Sequence, residues 1–494
     1  MANLFNIITQ KLAFFLVASK ELAMEKETFR LLGHQLVDWV ADYLEKVGQW
    51  PVVPRVSPGD IKNQLARRPP ETAEAWADIL ADFNQIILPG MTHWQHPGWF
   101  AYFPANNSPA SILGEILTAG MGAQCMSWQT SPAATELEEV VMDWLRQMLG
   151  LPQGMAGVIQ DTASTATLCA LLAAREKATG FLSNRQGFYQ PLTVYASDQA
   201  HSSVEKGVKI AGYGREKLRS IPTDENYALI PEALEESVRE DIRAGAIPAC
   251  VVATLGTTSS GAIDPLRPIG EICSRYGLWL HVDAAYAGTA AILPELRWML
   301  DGVEYVDSFV FNPHKWLLTN FDCSAFFIRD EENYVQTFEM HPEYLKTAQD
   351  RLVKNFRDWG IQLGRRFRAL KLWFVIRSYG VQGLQAMVRE HLRLAQLFRS
   401  WLEEHPLFEL MAPTTLSLVC FRLNDGRPED QLNLINRRLN ENINASGRIF
   451  LTHTELRGQY ALRLVVGSRT TQESHVRQAW EIIRGEAEKL AGQK

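Results

Sequence analysis

Polar residues suited to a binding or catalytic site follow five short apolar runs in the middle of the chain. Each run has the composition of a buried β-strand, and segments of helical pattern separate most of them. The runs and the polar residues at their ends are GVIQ with Asp161–Thr165, LTVYAS with His201, CVVATLG with Thr257 and Thr258, LWLHVD with its own Asp283, and SFVFN with His314 and Lys315. Because ligands of open α/β sheets bind outside the carboxyl ends of the strands, the sequence predicts one composite site.

The first cluster has the chemistry of a phosphate site. Thr162, Ala163 and Ser164 stand at a predicted helix start, where free backbone N–H groups, hydroxyls and the positive end of the helix dipole attract an anion. An ordinary helix N-cap would use the same residue types, so this cluster alone leaves both interpretations open.

Asp283, Lys315 and His201 are the candidate reactive groups. An acid that ends an apolar strand is costly unless a cation or a strong donor pairs with it, although a turn aspartate is the alternative. Lys315 in FNPHKWLL has apolar neighbours, and desolvation would lower its pKa and make it an amine nucleophile. The alternative for Lys315 is a surface lysine whose aliphatic part is buried. The alternative for His201 is a structural histidine.

Taken together, the clusters match one cofactor. Pyridoxal phosphate (PLP) needs a lysine for its Schiff base, a carboxylate at its pyridine nitrogen and an anion cup for its phosphate. An imidazole such as that of His201 could stack on the ring. The chain has no GxSxG elbow of a serine hydrolase and no GxGxxG after a strand, which argues against a hydrolase and a dinucleotide enzyme.

Composition excludes several other classes. The 494 residues include 49 Lys and Arg against 56 Asp and Glu, a net charge of −7, so we expect no nucleic-acid partner. The six cysteines form no CxxC pair and no zinc pattern, which predicts no metal site, no disulfide framework and a reducing, cytoplasmic location. The apolar run at residues 12–18 is shorter than the roughly 20 residues that span a membrane, so we expect no membrane partner.

The pattern predicts an α/β protein with a mostly parallel sheet flanked by helices. An amphipathic helix at 25–48 and a second helix at 73–87 precede an aromatic segment, Thr92–Pro104. This segment is either a loop that lines a pocket or an interface, or a plain hydrophobic core loop. The predicted divisions are an N-terminal extension at 1–24, an N-terminal helical arm at 25–108, a large cofactor-binding domain at 109–379 and a C-terminal α+β domain at 380–494.

Four long segments resemble the group II PLP-dependent decarboxylases, and within them the aromatic-L-amino-acid decarboxylases. They are SDQAHSSVEKG (197–207), ATLGTTSSGAIDPL (253–266), HVDAAYAG (281–288) and FNPHKWLL (311–318). The resemblance extends from about residue 25 to the C-terminus through MTHWQHP, SWQTSPAATELE, WGIQLGRRFRALKLWF and VGSRT. It implies a fold-type I PLP enzyme that acts as a homodimer.

The resemblance also implies a role for each site residue. Lys315 would form the Schiff base, Asp283 would pair with the pyridine nitrogen, and His201 would stack on the ring and help place the substrate carboxylate. The remaining cofactor-binding residues would be Thr162, Ala163, Ser164, Thr258, Ala285, Asn312 and His314. The substrate-pocket residues would be Trp94, Tyr102, Phe103, Pro104, Met126 and Gly364.

The segment 341–359 resembles the family's catalytic loop, which closes over the active site of the partner subunit. Tyr344 matches the loop tyrosine that protonates the substrate carbon after carbon dioxide leaves. Members that make aldehydes by decarboxylation with oxidative deamination carry phenylalanine there, so Tyr344 together with His201 favours a simple decarboxylase.

Three positions bear on the substrate. Gly364 matches the glycine of members that accept bulky indole or dihydroxyphenyl rings, where plant tyrosine-type members carry serine. Ala105 replaces a threonine and Met126 a phenylalanine of the animal dopa decarboxylase, which favours tryptophan or a broad aromatic range over dopa. The alternatives are an aromatic acetaldehyde synthase, an aminotransferase of the same fold type and a non-catalytic homologue.

Overall fold

The structure is a computed structural model that describes residues 24–187, 189–340 and 352–492. The chain forms two compact units, Met1–Trp50 and Pro51–Lys494. Helix α1, Lys26–Lys46, belongs to the first unit and confirms the helix predicted at 25–48. Of the predicted extension 1–24, all but Met24 lies outside the described residues.

The second unit contains two β-sheets, and its strands are short and mostly buried. In chain order they are β1 Ala156–Gln160, β2 Leu192–Ser197, β3 Leu218–Ile221, β4 Ile247–Thr254, β5 Trp279–Asp283, β6 Ser308–Phe311, β7 Ser324–Ile328, β8 Phe408–Leu410, β9 Leu418–Leu423, β10 Thr452–Leu456 and β11 Gln459–Val465. The larger sheet has the order β1-β7-β6-β5-β4-β2-β3. Strands β3, β2, β4, β5 and β6 pair in parallel, whereas β7 is antiparallel to both of its neighbours.

The α-helices of the second unit cover the two sheets and connect their strands. In chain order they are α2 Asp60–Gln64, α3 Trp76–Asp82, α4 Pro109–Met121, α5 Pro132–Leu149, α6 Ala163–Thr179, α7 Leu182–Gln186, α8 Ser202–Ile210, α9 Pro231–Arg243, α10 Leu266–Tyr276, α11 Pro313–Trp316, α12 Glu331–Phe338, α13 Arg368–Glu404, α14 Glu429–Ala445 and α15 Glu473–Ala491. In the described part of the chain, none of the helices combines the length and the apolar character that crossing a membrane requires.

The larger sheet is buried on both faces, as its nearly continuous apolar strands predict. Alternate residues of β4 belong to two different cores: Val251 and Ala253 to one, Cys250 and Val252 to the other. Helix α5 packs in the first core, and helices α6 and α8 pack in the second. The burial of apolar side chains on both faces stabilises the sheet between these two layers of helices.

The register of the parallel strands aligns their carboxyl ends. Thr254 on β4 pairs with Asp283 on β5, and Asp283 pairs with Val310 on β6. The polar residues that follow these strands therefore emerge at the same edge of the sheet, where the sequence places the composite site.

The smaller sheet is antiparallel throughout, in the order β10-β11-β9-β8. Its core includes Phe421 of the sheet, Phe398 of α13, Leu439 of α14 and Trp480 of α15. The predicted α+β character of the C-terminal region is confirmed by these elements.

The predicted strands of the middle region all form, but two elements of the sheet are additional to the prediction. Strand β3 is an edge strand, and β7 is the single antiparallel strand. The predicted boundary between 379 and 380 falls inside α13, where Gly380 has φ 62° and interrupts the helix. The domain boundaries otherwise stay predictions.

Candidate active site

A cavity of about 250 Å³ lies at the carboxyl ends of the parallel strands. All ten residues that the sequence predicts to bind the cofactor line it. Asp283 is the last residue of β5, and the others lie in loops or helix starts that follow a strand. Its lining consists of Phe103, Thr162, Ala163, Ser164, His201, Ser203, Thr254, Gly256, Thr258, Asp283, Ala285, Tyr286, Asn312, His314, Lys315 and Phe321.

The turn from β1 into α6 forms an anion cup on one side of this cavity. Thr162 is the N-cap of α6, with extended φ/ψ and a hydroxyl that accepts from the Thr165 N–H at 3.4 Å. The N–H groups of Ala163 and Ser164 come next and have no acceptor within the helix because they belong to its first turn. They and the positive helix end suit a phosphate.

Asn312, the residue after β6, adds a polar side chain to the lining of the cavity. The hydroxyl of Ser324 on β7 donates to Asn312 Oδ1 at 2.6 Å, which leaves the side-chain NH₂ as a donor. The antiparallel strand β7, which the sequence analysis did not predict, thus fixes the orientation of a predicted site residue.

Asp283 is a buried acid whose hydrogen bonding is incomplete. Asp283 is 5% exposed, and its Oδ1 accepts a hydrogen bond from the Ala285 N–H at 2.9 Å. Within residues 24–187, 189–340 and 352–492, no Lys or Arg nitrogen forms an ion pair with this carboxylate. A buried carboxylate is costly without a cationic or donor partner, and the protonated ring nitrogen of PLP would supply one.

Lys315 carries an amine held out of water. Burial lowers the pKa of its ammonium, and the charge of Asp283 opposes this effect. Nζ lies 5.3 Å from the centroid of the Phe103 ring and makes no hydrogen bond to any of the described residues. A desolvated amine of this kind is available as a nucleophile at neutral pH.

His201 is positioned as a neutral imidazole at the cavity. The Ser203 N–H donates to Nδ1 at 3.1 Å, so the proton of the neutral ring is on Nε2. Desolvation lowers the pKa of His201, with Asp283 opposing and Lys315 adding to the effect.

His314 has the same tautomer for a different reason. The Cys323 N–H donates to its Nδ1 at 2.9 Å. Burial, followed by the neighbouring Lys315 ammonium, lowers the pKa of His314 to about 3. This histidine is therefore an uncharged donor through Nε2.

The predicted substrate residues divide into two groups. Phe103 lines the cofactor cavity, with the buried Pro104 next to it in the chain. Trp94 and Tyr102 instead stack on each other at 5.8 Å, outside that cavity. Tyr102 lines a neighbouring cleft of about 440 Å³, and Thr258 borders both spaces.

Met126 and Gly364 belong to two segments that are joined by hydrogen bonds, and neither residue lines the cavity. The Arg357 N–H donates to Met126 O at 2.8 Å, and the Arg365 N–H donates to Gln124 Oε1 at 2.8 Å. A Cβ at the exposed Gly364 would lie 3.1 Å from Gln124 Nε2. Tyr344 and residues 341–351 of the predicted catalytic loop lie outside the described residues.

One charged residue that the sequence did not predict, Arg463, lines the neighbouring cleft together with Tyr102 and Thr258. This residue on β11 is 3% exposed, and its guanidinium carbon lies 5.6 Å from the Phe103 centroid. Nη1 donates to Thr452 Oγ1 at 2.8 Å, whereas Nε and Nη2 have no hydrogen-bond partner among the described residues. An arginine inside the otherwise apolar run ALRLVV was the available signal.

Comparisons with known proteins agree with this chemistry. The chain matches the family model of the pyridoxal-dependent decarboxylase conserved domain over residues 58–424. The chain belongs to the pyridoxal-dependent decarboxylase family. It is 45% identical to the phenylacetaldehyde synthase of Arabidopsis thaliana, over 94% of this chain and 97% of that one. It is also 45% identical to the aromatic-L-amino-acid decarboxylase of Rattus norvegicus, over 93% of this chain and 98% of that one.

Among solved structures, the fold is similar to Oryza sativa TDC with PLP and tryptamine. The TM-score is 0.91, at 39% identity, over 94% of this chain and 99% of that one. The predicted α/β fold of a fold-type I PLP enzyme and the predicted PLP cofactor are thereby confirmed. The cavity of this pyridoxal-dependent decarboxylase fits the cofactor through three features that need a ligand: the incompletely paired Asp283, the free amine of Lys315 and the N–H groups at the start of α6.

Proposed function

We propose that the protein decarboxylates an aromatic L-amino acid to the corresponding arylalkylamine and carbon dioxide. The observation that carries this proposal is the shared cavity of Lys315, Asp283 and the α6 cup, which is lined by the aromatic rings of Phe103, Tyr286 and Phe321. An aromatic wall favours an aromatic side chain by apolar burial and ring stacking.

PLP, when bound, supplies an electron-accepting ring that stabilises negative charge at the substrate Cα. Thr162, Ala163, Ser164 and Asn312 would hold its phosphate. Asp283 would keep the ring nitrogen protonated, which is an electrostatic contribution that needs no reorganisation because the carboxylate is already fixed by Ala285.

Lys315, with its lowered pKa, is the amine that holds the cofactor and releases the product. His201, neutral and with its proton on Nε2, would stack on the ring and donate toward the substrate carboxylate. Arg463 is a second candidate for that carboxylate, since it is a buried cation with two unpaired nitrogens against the same Phe103 ring as Lys315. Tyr344 would donate the proton to Cα after carbon dioxide leaves, with the loop excluding water.

A substrate panel tests this function. The purified protein with PLP is supplied with tryptophan, tyrosine, phenylalanine, dopa and 5-hydroxytryptophan, and amine, carbon dioxide and peroxide are all measured. We expect equal amounts of amine and carbon dioxide from at least one of them and no peroxide. A requirement for a 2-oxo acid would instead indicate an aminotransferase, and purified protein without bound cofactor would indicate a non-catalytic homologue.

We propose that Gly364, which lies outside the described cavity, influences the substrate preference. We expect tryptophan to be accepted at least as well as tyrosine, because Gly364 matches the glycine of members that accept bulky rings. Gly364→Ser should lower kcat/KM for tryptophan relative to tyrosine by about tenfold, the scale of a steric change in a substrate pocket. A clear preference of the wild type for tyrosine would contradict this reasoning.

An aromatic acetaldehyde synthase is the second candidate, supported by the similarity to the Arabidopsis phenylacetaldehyde synthase. That reaction consumes oxygen and water and releases the aldehyde, carbon dioxide, ammonia and hydrogen peroxide. Tyr344 favours the amine-forming reaction, so Tyr344→Phe should divert the product to aldehyde with one peroxide per turnover. Peroxide from the wild type at the rate of carbon dioxide release would make the synthase the correct function.

We also propose a homodimer in which segment 341–359 acts across the interface. The support is an exposed apolar face on α4, formed by Leu113, Ile116, Leu117 and Met121. Co-expressed Lys315→Ala and Tyr344→Phe subunits test the arrangement. If the loop acts on the partner, the mixed dimer has one complete site and forms amine; if it acts within its own subunit, no site is complete.

The cytoplasm is the proposed location. The support is that all six cysteines are buried and free, which suits a reducing compartment. Fractionation of cells expressing the full chain, with the activity assayed in each fraction, tests it.

A further inference from the structure

The residue after Lys315 is a fully buried tryptophan that makes one side-chain hydrogen bond. Trp316, the last residue of α11, is 0% exposed. Its indole N–H donates to Nδ1 of His391 at 2.8 Å. His391 is on α13, beyond the interruption at Gly380, so this bond ties the lysine-bearing turn to a different part of the fold.

The same tryptophan belongs to a column of parallel rings that reaches the cavity. Trp316 stacks on Tyr286 with centroids 4.5 Å apart and planes 10° apart. Tyr286 stacks on Phe103 at 4.0 Å and 14°, and its hydroxyl contacts Ser417 Oγ. Lys315 Nζ lies 5.3 Å from the centroid of Phe103, the ring of this column that lines the cavity.

The column therefore contacts the lysine at two places. Phe103 lies under its amine, and Trp316 is bonded to its backbone. A rotation of the indole would move both the neighbouring peptide and the stacked rings, since stacked aromatic pairs in a close-packed core have little free space. Besides this packing, the hydrogen bond to His391 is the one polar contact that the indole makes with the described residues.

His391 is suited to accept this bond at all pH values at which the protein is expected to work. The residue is 3% exposed, and burial lowers its pKa to about 4, with Glu390 and the Ser468 backbone opposing the effect. The neutral ring accepts at Nδ1 and carries its proton on Nε2.

We propose that His391 is a positioning residue for Lys315, acting through the Trp316 indole and the ring column. The proposal rests on the assignment of Lys315 as the cofactor lysine and goes beyond the proposed reaction. It assigns a task in the active site to a residue that does not line the cavity.

The test compares three variants of the full-length protein loaded with PLP. His391→Phe keeps a ring for packing but removes the acceptor. His391→Asn places an amide oxygen close to the position of Nδ1 and retains the acceptor. Trp316→Phe removes the donor. His405→Phe is the matched control, because His405 also packs against a buried tryptophan, Trp480, but in the C-terminal core.

Two readouts separate positioning from a loss of folding. The first is the pH midpoint of the visible absorbance of the lysine-bound cofactor, which reports the environment of the lysine nitrogen without any substrate. The second is the division of the activity loss between kcat and KM. Thermal unfolding of each variant is measured in parallel.

We expect His391→Phe and Trp316→Phe to lower kcat on the order of tenfold, because a small misplacement of a reacting group slows the reaction. KM should change less than about twofold. Both should shift the absorbance midpoint, and His391→Asn should restore most of kcat and of the midpoint. The double variant His391→Phe/Trp316→Phe should be no worse than either single one, as for groups that act through one bond.

Three results would overturn the proposal: a wild-type midpoint in His391→Phe, no recovery in His391→Asn, or the same midpoint shift in His405→Phe. The absorbance titration needs no amino acid. Failure of the proposed decarboxylation in the substrate panel would therefore leave this test decisive.

Discussion

The side-chain amide of Asn106 donates a hydrogen bond of 2.7 Å to the backbone carbonyl of Lys315. The same NH₂ group donates to Gly467 O at 2.7 Å, and the Arg469 N–H donates to Asn106 Oδ1 at 2.9 Å. Asn106 is 2% exposed, so all three bonds are shielded from water. Asn106, two positions after the aromatic segment, thus ties the backbone of Lys315 to the segment that follows β11.

Removing this amide should weaken both the fold and the site. Asn106→Ala leaves two carbonyls and one N–H buried without a partner, at a cost of about 1–3 kcal/mol each when unsatisfied. We expect a lower unfolding free energy in urea and slower decarboxylation. Asn107→Ala is the matched control, since Asn107 Oδ1 has no hydrogen-bond partner among the described residues. Equal effects of the two substitutions would contradict the role of the Asn106 bonds.

Replacing Lys315 by alanine should abolish the visible absorbance of the lysine-bound cofactor and the activity. PLP should still bind, more weakly, because the α6 cup and Asp283 remain. Lys206→Ala, at an exposed lysine of α8, is the control and should keep the absorbance. Survival of the band in Lys315→Ala would show that another amine holds the cofactor.

Arg463 should be needed for activity but not for stability. Its buried charge lacks partners for Nε and Nη2, and removing an unpaired buried charge is commonly neutral or stabilising. We therefore expect Arg463→Leu to unfold at the same or a higher temperature and to lose at least about tenfold in kcat/KM. A variant that is less stable but fully active would show that Arg463 has a structural role instead.

The unfolding free energy should decrease as the pH falls from about 6.5 to about 4. Burial lowers the pKa of His281 to about 4, of His314 to about 3 and of His391 to about 4, so in this range the unfolded chain binds more protons than the folded one. Asp264 acts in the opposite direction, because burial raises its pKa to about 6 and the folded state binds that proton first.

These three histidines should dominate over Asp264, because each tenfold difference in proton affinity is worth about 1.4 kcal/mol. Urea unfolding at pH 7.5 and 5.0 measures the difference. His391→Asn should reduce it, since one of the titrating rings is gone. A protein more stable at pH 5.0 than at pH 7.5 would contradict the prediction.

Local sequence patterns were sufficient for the strands and the residues at their ends. Runs such as CVVATLG and SFVFN are apolar on both faces because the sheet is covered on both sides, and a polar residue where such a run stops marks the edge of the sheet. The sequence did not predict that β7 pairs with β1 and β6, because the composition of a strand does not indicate its partners or the direction in which it pairs.

Local patterns in the chain predict the candidate reacting groups: a lysine, an aspartate and a helix start at the ends of parallel strands, in an order typical of one enzyme family. The residues that hold these groups in place follow from tertiary packing. Asn106 and Lys315 are 209 positions apart, and Trp316 and His391 are 75 apart. Contacts over such separations depend on how whole helices and sheets pack. No local pattern therefore predicts that Asn106 and His391 bond to the lysine-bearing turn, or that Arg463 is buried with two nitrogens that lack a hydrogen-bond partner among the described residues.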